Sequence, residues 1–157
     1  MALLNRKVDY AILVLSYLGH HTGGGSAREI ALRFGLSRAF VANILKELCH
    51  KGYVTSHRGV KGGYELAATT ASANLSDFIQ AMDGSFRLAE CNQPRIANGC
   101  SVFDRCPVRG PIAEVHGRIN QVLRQVTLRE LFHPSAERSP FGLPLLDMEP
   151  VKQAVAS

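Results

Sequence analysis

Several things are scarce in this sequence of 157 residues, and each scarcity removes a class of function. No apolar run approaches the roughly 18 residues that a membrane span needs, so a membrane-spanning protein is not expected. The opening MALLNRKVDYAILVLSYLGHH carries an apolar stretch at 11–18 behind charged residues, but Asp9 and Tyr10 interrupt its boundary and no small-residue cleavage site follows. It therefore does not read as a signal peptide, and a cytoplasmic location is expected, where cysteines remain thiols. There is no Walker or nucleophile-elbow pattern, and Gly62-Gly63 is too little glycine for a phosphate-binding loop. The six histidines form no H-x3-H pair, and the four cysteines form no C-x2-C arm. Acid is scarce in one half only. Residues 1–66 hold four Asp/Glu against nine Lys/Arg, whereas residues 67–157 hold nine of each. The whole net charge of +5 therefore lies at the N-terminal end. A localised positive surface raises the local concentration of phosphate backbones, which points to nucleic acid; a membrane surface is the competing reading.

What is present forms an ordered series of helix signals. Val8, Ala11, Ile12, Leu15 and Leu18 share one face at helical spacing, which predicts a helix over 5–20, ended by His20, His21 and Gly23-Gly24-Gly25. Ser26-Ala-Arg-Glu29 is a capping box, and Ala27, Ile30, Ala31 and Phe34 supply the buried stripe of a second helix closed by Gly35. Ser37 is the next N-cap. Val41, Ile44, Leu45 and Leu48 then face inward, leaving Arg38, Ala39, Ala42, Asn43 and Lys46 outward through Cys49. Helix, Gly-Leu-Ser turn, helix is a helix-turn-helix signature. Tyr53–Ser56 and Tyr64–Leu66 read as two short strands around a glycine-rich basic turn carrying Arg58 and Lys61, a wing.

Beyond the linker at 67–73, Asn74 caps a short helix with Leu75, Phe78, Ile79 and Met82 inside and Gly84 at its end. The segment 85–110 has no sustained period and holds Cys91, Cys100 and Cys106 at C-x8-C-x5-C spacing. Pro111 opens a helix whose Ile112, Val115, Ile119, Val122 and Val126 step by three and four residues, the rhythm of a seam along which two copies pack. Thr127-Leu-Arg-Glu130 is a second capping box, starting a last turn near Phe132. From Pro134 the chain is rich in proline, serine and small residues and reads as a flexible tail. The fold class expected is mainly α with a small β-hairpin: a winged helix-turn-helix domain at 1–84, a cysteine-containing loop at 85–110, a dimerisation helix and closing turn at 111–132, and a tail at 133–157.

The outward face of the third helix suits base reading: Ser37, Arg38, Asn43 and Lys46 are candidates, with Arg28 on the second helix, Arg58 in the wing for the minor groove or a phosphate, and Lys61 for a phosphate. The ordinary alternative, that these charges only solvate a helix and a hairpin, holds for any one of them taken alone. Three thiols separated by eight and five residues suit a loop wrapped around a larger object, such as an iron–sulfur cluster; a zinc site remains open on spacing alone. Cys49 ends a buried stripe and counts as core.

These parts in this order resemble the IscR/NsrR-type winged-helix transcription regulators over about residues 1–132. The resemblance rests on Leu4-x-x-Lys7-x-Asp9-Tyr10-Ala11, SAREIALRFGLSRAFVANILKELCHKGYV, the wing SHRGVKGGYELA, LSDFIQAMDG, the three-cysteine loop with Cys106-Pro107-Val108, and TLREL. It implies a homodimer that binds a palindromic promoter site on double-stranded DNA. It also implies one iron–sulfur cluster per subunit on Cys91, Cys100 and Cys106, whose state alters DNA binding in response to nitric oxide, redox state or iron supply. The chain departs from the pattern in its longer first cysteine gap, in Val60-Lys61 where the wing usually has Pro-Gly, and in Arg109, which stands where IscR-like members carry a histidine ligand. In the NsrR-like branch the fourth ligand is an aspartate of the first helix, and Asp9 lies at the matching position, with His116, Glu90 and Asp104 in reserve. A four-iron four-sulfur cluster is favoured over a two-iron one on that ground. The alternatives are a winged-helix regulator switched by zinc or thiols, and a small oxidoreductase using Cys106, for which no matched general base is found. The chain is not expected to be an enzyme.

Overall fold

Helix α1 (Arg6–His20) starts where the Asn5 side chain turns back to accept the Lys7 amide at 3.1 Å, and the same side chain donates to Asp83 at 2.9 Å. In the computed structural model, which describes residues 5–59, 62–84, 86–89, 91 and 100–133, this helix is the centre of the molecule. Val8, Ala11, Val14, Leu15 and Leu18 are buried along it, an apolar face wide enough to be covered from more than one side.

Helix α2 (Ala27–Phe34) has its capping box closed in both directions: Ser26 Oγ accepts from the Glu29 amide at 3.2 Å, and Glu29 accepts from the Ser26 amide at 2.7 Å. Hydrogen bonds to its carboxylate from the Ser26 backbone amide and the Ser26 side chain hold the Glu29 carboxyl below its usual value, because they favour the charged form. Gly35 ends the helix in the left-handed region, and α3 (Arg38–His50) begins at once, its Ser37 hydroxyl accepting from the Phe40 amide at 3.2 Å. Val41, Ile44, Leu45 and Leu48 are buried against α1 and α2.

Strands β1 (Val54–His57) and β2 (Gly63–Leu66) pair antiparallel with Val54 opposite Leu66 and His57 opposite Gly63. The glycines before α2 do more than stop α1. Gly25 exchanges two backbone hydrogen bonds of 2.9 Å with Tyr64, docking the wing onto the turn, and Gly24 sits at φ +72° where a Cβ would lie 2.5 Å from the Tyr64 carbonyl oxygen. A single 3-10 turn, Thr70–Ser72, leads to α4 (Leu75–Asp83), which Asn74 caps and whose Leu75, Phe78, Ile79 and Met82 are buried.

Helix α5 (Arg109–Gln125) starts two residues ahead of Pro111, which sits in the first turn where its missing N–H costs nothing. None of its residues is buried. Ile119 and Leu123 rest against the core and α4, while Val108, Val115 and Val122, seven residues apart, are 51, 47 and 36% exposed. Val126, assigned by its spacing to the same seam, instead leaves the helix and enters the core.

The chain then returns to its N-terminal part. Leu75 donates to the Val126 carbonyl at 2.8 Å and Leu128 to the Ala73 carbonyl at 2.9 Å. Helix α6 (Leu128–Phe132), with the Thr127–Glu130 capping box complete, buries Leu128 and Phe132 beside α1. The closing turn is thus part of the winged-helix core. The tail from 134 lies outside the described residues.

Candidate DNA interface and cysteine site

Basic side chains are exposed on three consecutive elements. Arg28 on α2, and Arg38, Asn43 and Lys46 on α3, are exposed, opposite the buried stripe that anchors α3. Ser37 is exposed, but its hydroxyl is already committed to the helix cap, so its backbone and position matter more than its side chain. Arg58 is exposed at the end of the wing; Lys61 lies outside the described residues. Across the wing His57 and Glu65 approach to 3.4 Å. A helix with one face in the core and arginine, asparagine and lysine on the other can present donors to base edges while a basic hairpin reaches the backbone.

A group not singled out by its sequence pattern borders that face. Tyr10 of α1 meets Phe40 of α3 edge-on at 5.1 Å between ring centroids, and the Arg6 guanidinium lies 5.9 Å over the Tyr10 ring. Lys7 pairs with Glu47 of α3 at 3.2 Å. Phe40 was the available signal: an aromatic on the outward side of an otherwise polar face needs a partner, and no local spacing could name Tyr10.

The three loop cysteines are half-buried free thiols, and Cys49, also free, packs against the core. Burial pushes the Cys49 thiol above its ordinary value, which disfavours a thiolate there. Between Cys100 and Cys106 the chain makes a tight 3-10 turn, Phe103–Arg105, with the Phe103 amide donating to the Cys100 carbonyl at 3.1 Å. Arg109 lies over the Phe103 ring at 4.3 Å, so this residue braces the turn.

His116 is occupied elsewhere. Its Nε2 is 2.9 Å from the Phe86 carbonyl oxygen, its ring stacks on Phe86, and the Asn120 amide nitrogen lies 3.1–3.3 Å from the two ring nitrogens. Glu90 lies outside the described residues; Asp104 and Asp9 are exposed. Among the described residues, no three of His, Cys, Asp and Glu are gathered closely enough to hold a metal ion, so Cys91, Cys100, Cys106 and Asp9 are not brought together within this single chain. The donor chemistry nonetheless fits a thiophilic centre: three thiols on one segment, neither paired as disulfides nor sealed in the core.

The model of a family described as Rrf2, iron-dependent transcriptional regulator, matches residues 4–134. The chain belongs to the Rrf2 family. It is a transcription regulator and not an enzyme, and its winged helix is the DNA-binding part of an Rrf2 protein. Two curated relatives are similar over 130 residues, 82% of this chain. One is the HTH-type transcriptional regulator IscR of Enterobacter sp. (strain 638), 28% identical over 78% of its own length. The other is the HTH-type transcriptional regulator NsrR of Shouchella clausii (strain KSM-K16), 25% identical over 87% of its length. Among solved structures, that of T. potens IscR superimposes with a TM-score of 0.63 at 26% identity, covering 85% of this chain and 88% of that one. The mainly helical architecture with a two-stranded wing expected for this Rrf2 chain is the one these regulators share. Among the described residues, no helix is long and apolar enough to cross a membrane.

Proposed function

We propose that this Rrf2 protein is a cytoplasmic homodimeric regulator that binds a palindromic promoter site and changes its affinity with the state of an iron–sulfur cluster held by Cys91, Cys100 and Cys106. What supports this reading most is one observation: three unpaired, half-buried thiols occupy the segment that joins the DNA reader to α5, the helix with an uncovered apolar face. The names of the IscR and NsrR relatives agree with it.

When bound, the cluster supplies iron that exchanges electrons and reacts with nitric oxide. The chain's own residues do the rest. The three cysteines would donate as thiolates, and Asp9 of the second copy, at the position where NsrR-like members carry an aspartate ligand, would complete the set; Arg109 is placed over the Phe103 ring and His116 against Phe86. With an aspartate rather than a histidine in the fourth place, as in NsrR-like members, a four-iron cluster would be favoured over a two-iron one. His116 ties the entry of the loop to α5, so rearrangement around the cysteines is passed to the dimer helix. Two α3 helices must meet half-sites about 34 Å apart, one DNA turn, and a small rotation at α5 breaks that match. Arg38, Asn43 and Lys46 read bases, Arg28 and Ser37 lie at the groove edge, and Arg58 and Lys61 reach the minor groove and phosphates.

Oxygen-free purification tests the cofactor. Brown protein with iron and acid-labile sulfide in equal amounts is expected; colourless protein with stoichiometric zinc, or with no metal after reconstitution, overturns it.

A further inference from the structure

The N-terminal turn of α1 and the first turn of α3 enclose an open cleft of about 410 Å³ lined by Arg6, Lys7, Tyr10, Leu36, Ser37 and Phe40, together with Asn5. Its two walls are fixed to each other by the Tyr10–Phe40 ring contact and the Lys7–Glu47 pair. Phe40 and Glu47 therefore mark the edge of the outer face of α3 that borders α1. Asn43 lies between them, three residues after Phe40 and four before Glu47, on the same stripe of the helix. The cleft is thus continuous with the face that reads bases.

Its charge is of one kind. Lys7 is spent on Glu47, which Lys51 also approaches at 3.8 Å. Arg6 is exposed, and among the described residues no carboxylate pairs with it; its partner is Tyr10, over whose ring it lies. A guanidinium without a carboxylate and steadied by an aromatic ring is a fork whose direction is set before a ligand arrives, and a phosphate oxygen pair is the ligand such a fork fits.

We propose that this cleft seats one phosphate of the DNA backbone, gripped by Arg6 with Tyr10 holding the guanidinium in place, so that α3 is set in the groove from outside the recognition helix. The inference rests on the DNA-reading role proposed above and adds a site on a different element. A phosphate contact positions without reading sequence, so it should act equally on every duplex.

The test uses full-length protein and two probes: a random-sequence duplex, and a duplex selected by the wild-type protein from a randomised pool. Binding is followed by fluorescence anisotropy across a salt series. Arg6→Gln should weaken both duplexes by the same factor, roughly tenfold as for one charge-assisted hydrogen bond, and make the log–log salt slope shallower by about 0.9 for each phosphate no longer neutralised. Arg6→Lys should keep the slope, and Tyr10→Phe should weaken both duplexes by a smaller factor. An unchanged slope in Arg6→Gln overturns the proposal. So does weakening confined to the selected duplex, which would make Arg6 a base reader, or a shift to monomers in light scattering, which would make the cleft a seat for the second copy. Failure of the wild-type protein to bind either duplex would instead defeat the DNA-reading role itself.

Discussion

Four cysteines in one chain divide by surroundings. Cys49 packs against the core and its thiol is pushed up by burial, so it is a poor ligand at neutral pH. Cys91, Cys100 and Cys106 are half-buried on a segment with no apolar periodicity to hold it, and metal ligation would supply the missing constraint. Replacing any of these three with alanine is expected to abolish retention of iron and sulfide after desalting, while Cys49→Ala retains both; equal depletion in all four variants would remove the distinction. At this scale the sequence was informative where chemistry is intrinsic to the residue type, as for thiols, and uninformative where it depends on neighbours in space. Arg6, Tyr10 and Phe40 come together only because α1 crosses α3, thirty residues away in the chain. By its residue type His116 reads as a spare ligand, whereas its place against Phe86 and Asn120 commits it to holding the loop entry on α5.

Helices α2 and α6 begin at capping boxes that were readable because every partner lies within three residues. Each box also carries a pH signature. The carboxyls of Glu29 and Glu130 are both held below their usual value of 4.5, Glu29 by hydrogen bonds from Ser26 and Glu130 by those from Thr127. A depressed folded-state value means the stabilisation is complete above the unfolded value and disappears as pH falls through the folded one. Thermal melts of Glu29→Gln, which keeps the box geometry, should therefore fall less steeply than wild type as pH drops below 4.5; parallel curves would contradict the assignment. The strands and α4 were equally legible, but the packing of the closing turn was not: the hydrogen bonds of Val126 and Leu128 to residues 75 and 73 reach back more than fifty residues, which no local pattern encodes. Leu128 is fully buried there, so Leu128→Ala should cost about 2–5 kcal/mol in chemical denaturation, the range of a core cavity. A cost below about 0.5 kcal/mol would show that the closing turn is dispensable to the core.

At the scale of the molecule, the excess of positive charge falls on the winged-helix half and exposed apolar residues lie along α5, so the two surfaces differ in chemistry. If the proposed homodimer packs along the exposed Val108, Val115 and Val122, Val122→Glu should convert dimers to monomers by light scattering; persistent dimers would place the interface elsewhere. The winged helix and its order of elements were legible because caps, turns and apolar stripes agree along the chain. Ligand assembly was not, since the proposed site, shared between copies, would leave no signature within one of them. The central claim is that one protein couples the thiol segment to DNA affinity, and the most direct measurement is the dissociation constant of a single anaerobic sample for its selected duplex before and after chelation of iron. The account predicts a change of about tenfold or more, the scale of a coupling near 1.4 kcal/mol. The same constant in both states, with iron and sulfide shown to have been present and then removed, would contradict it.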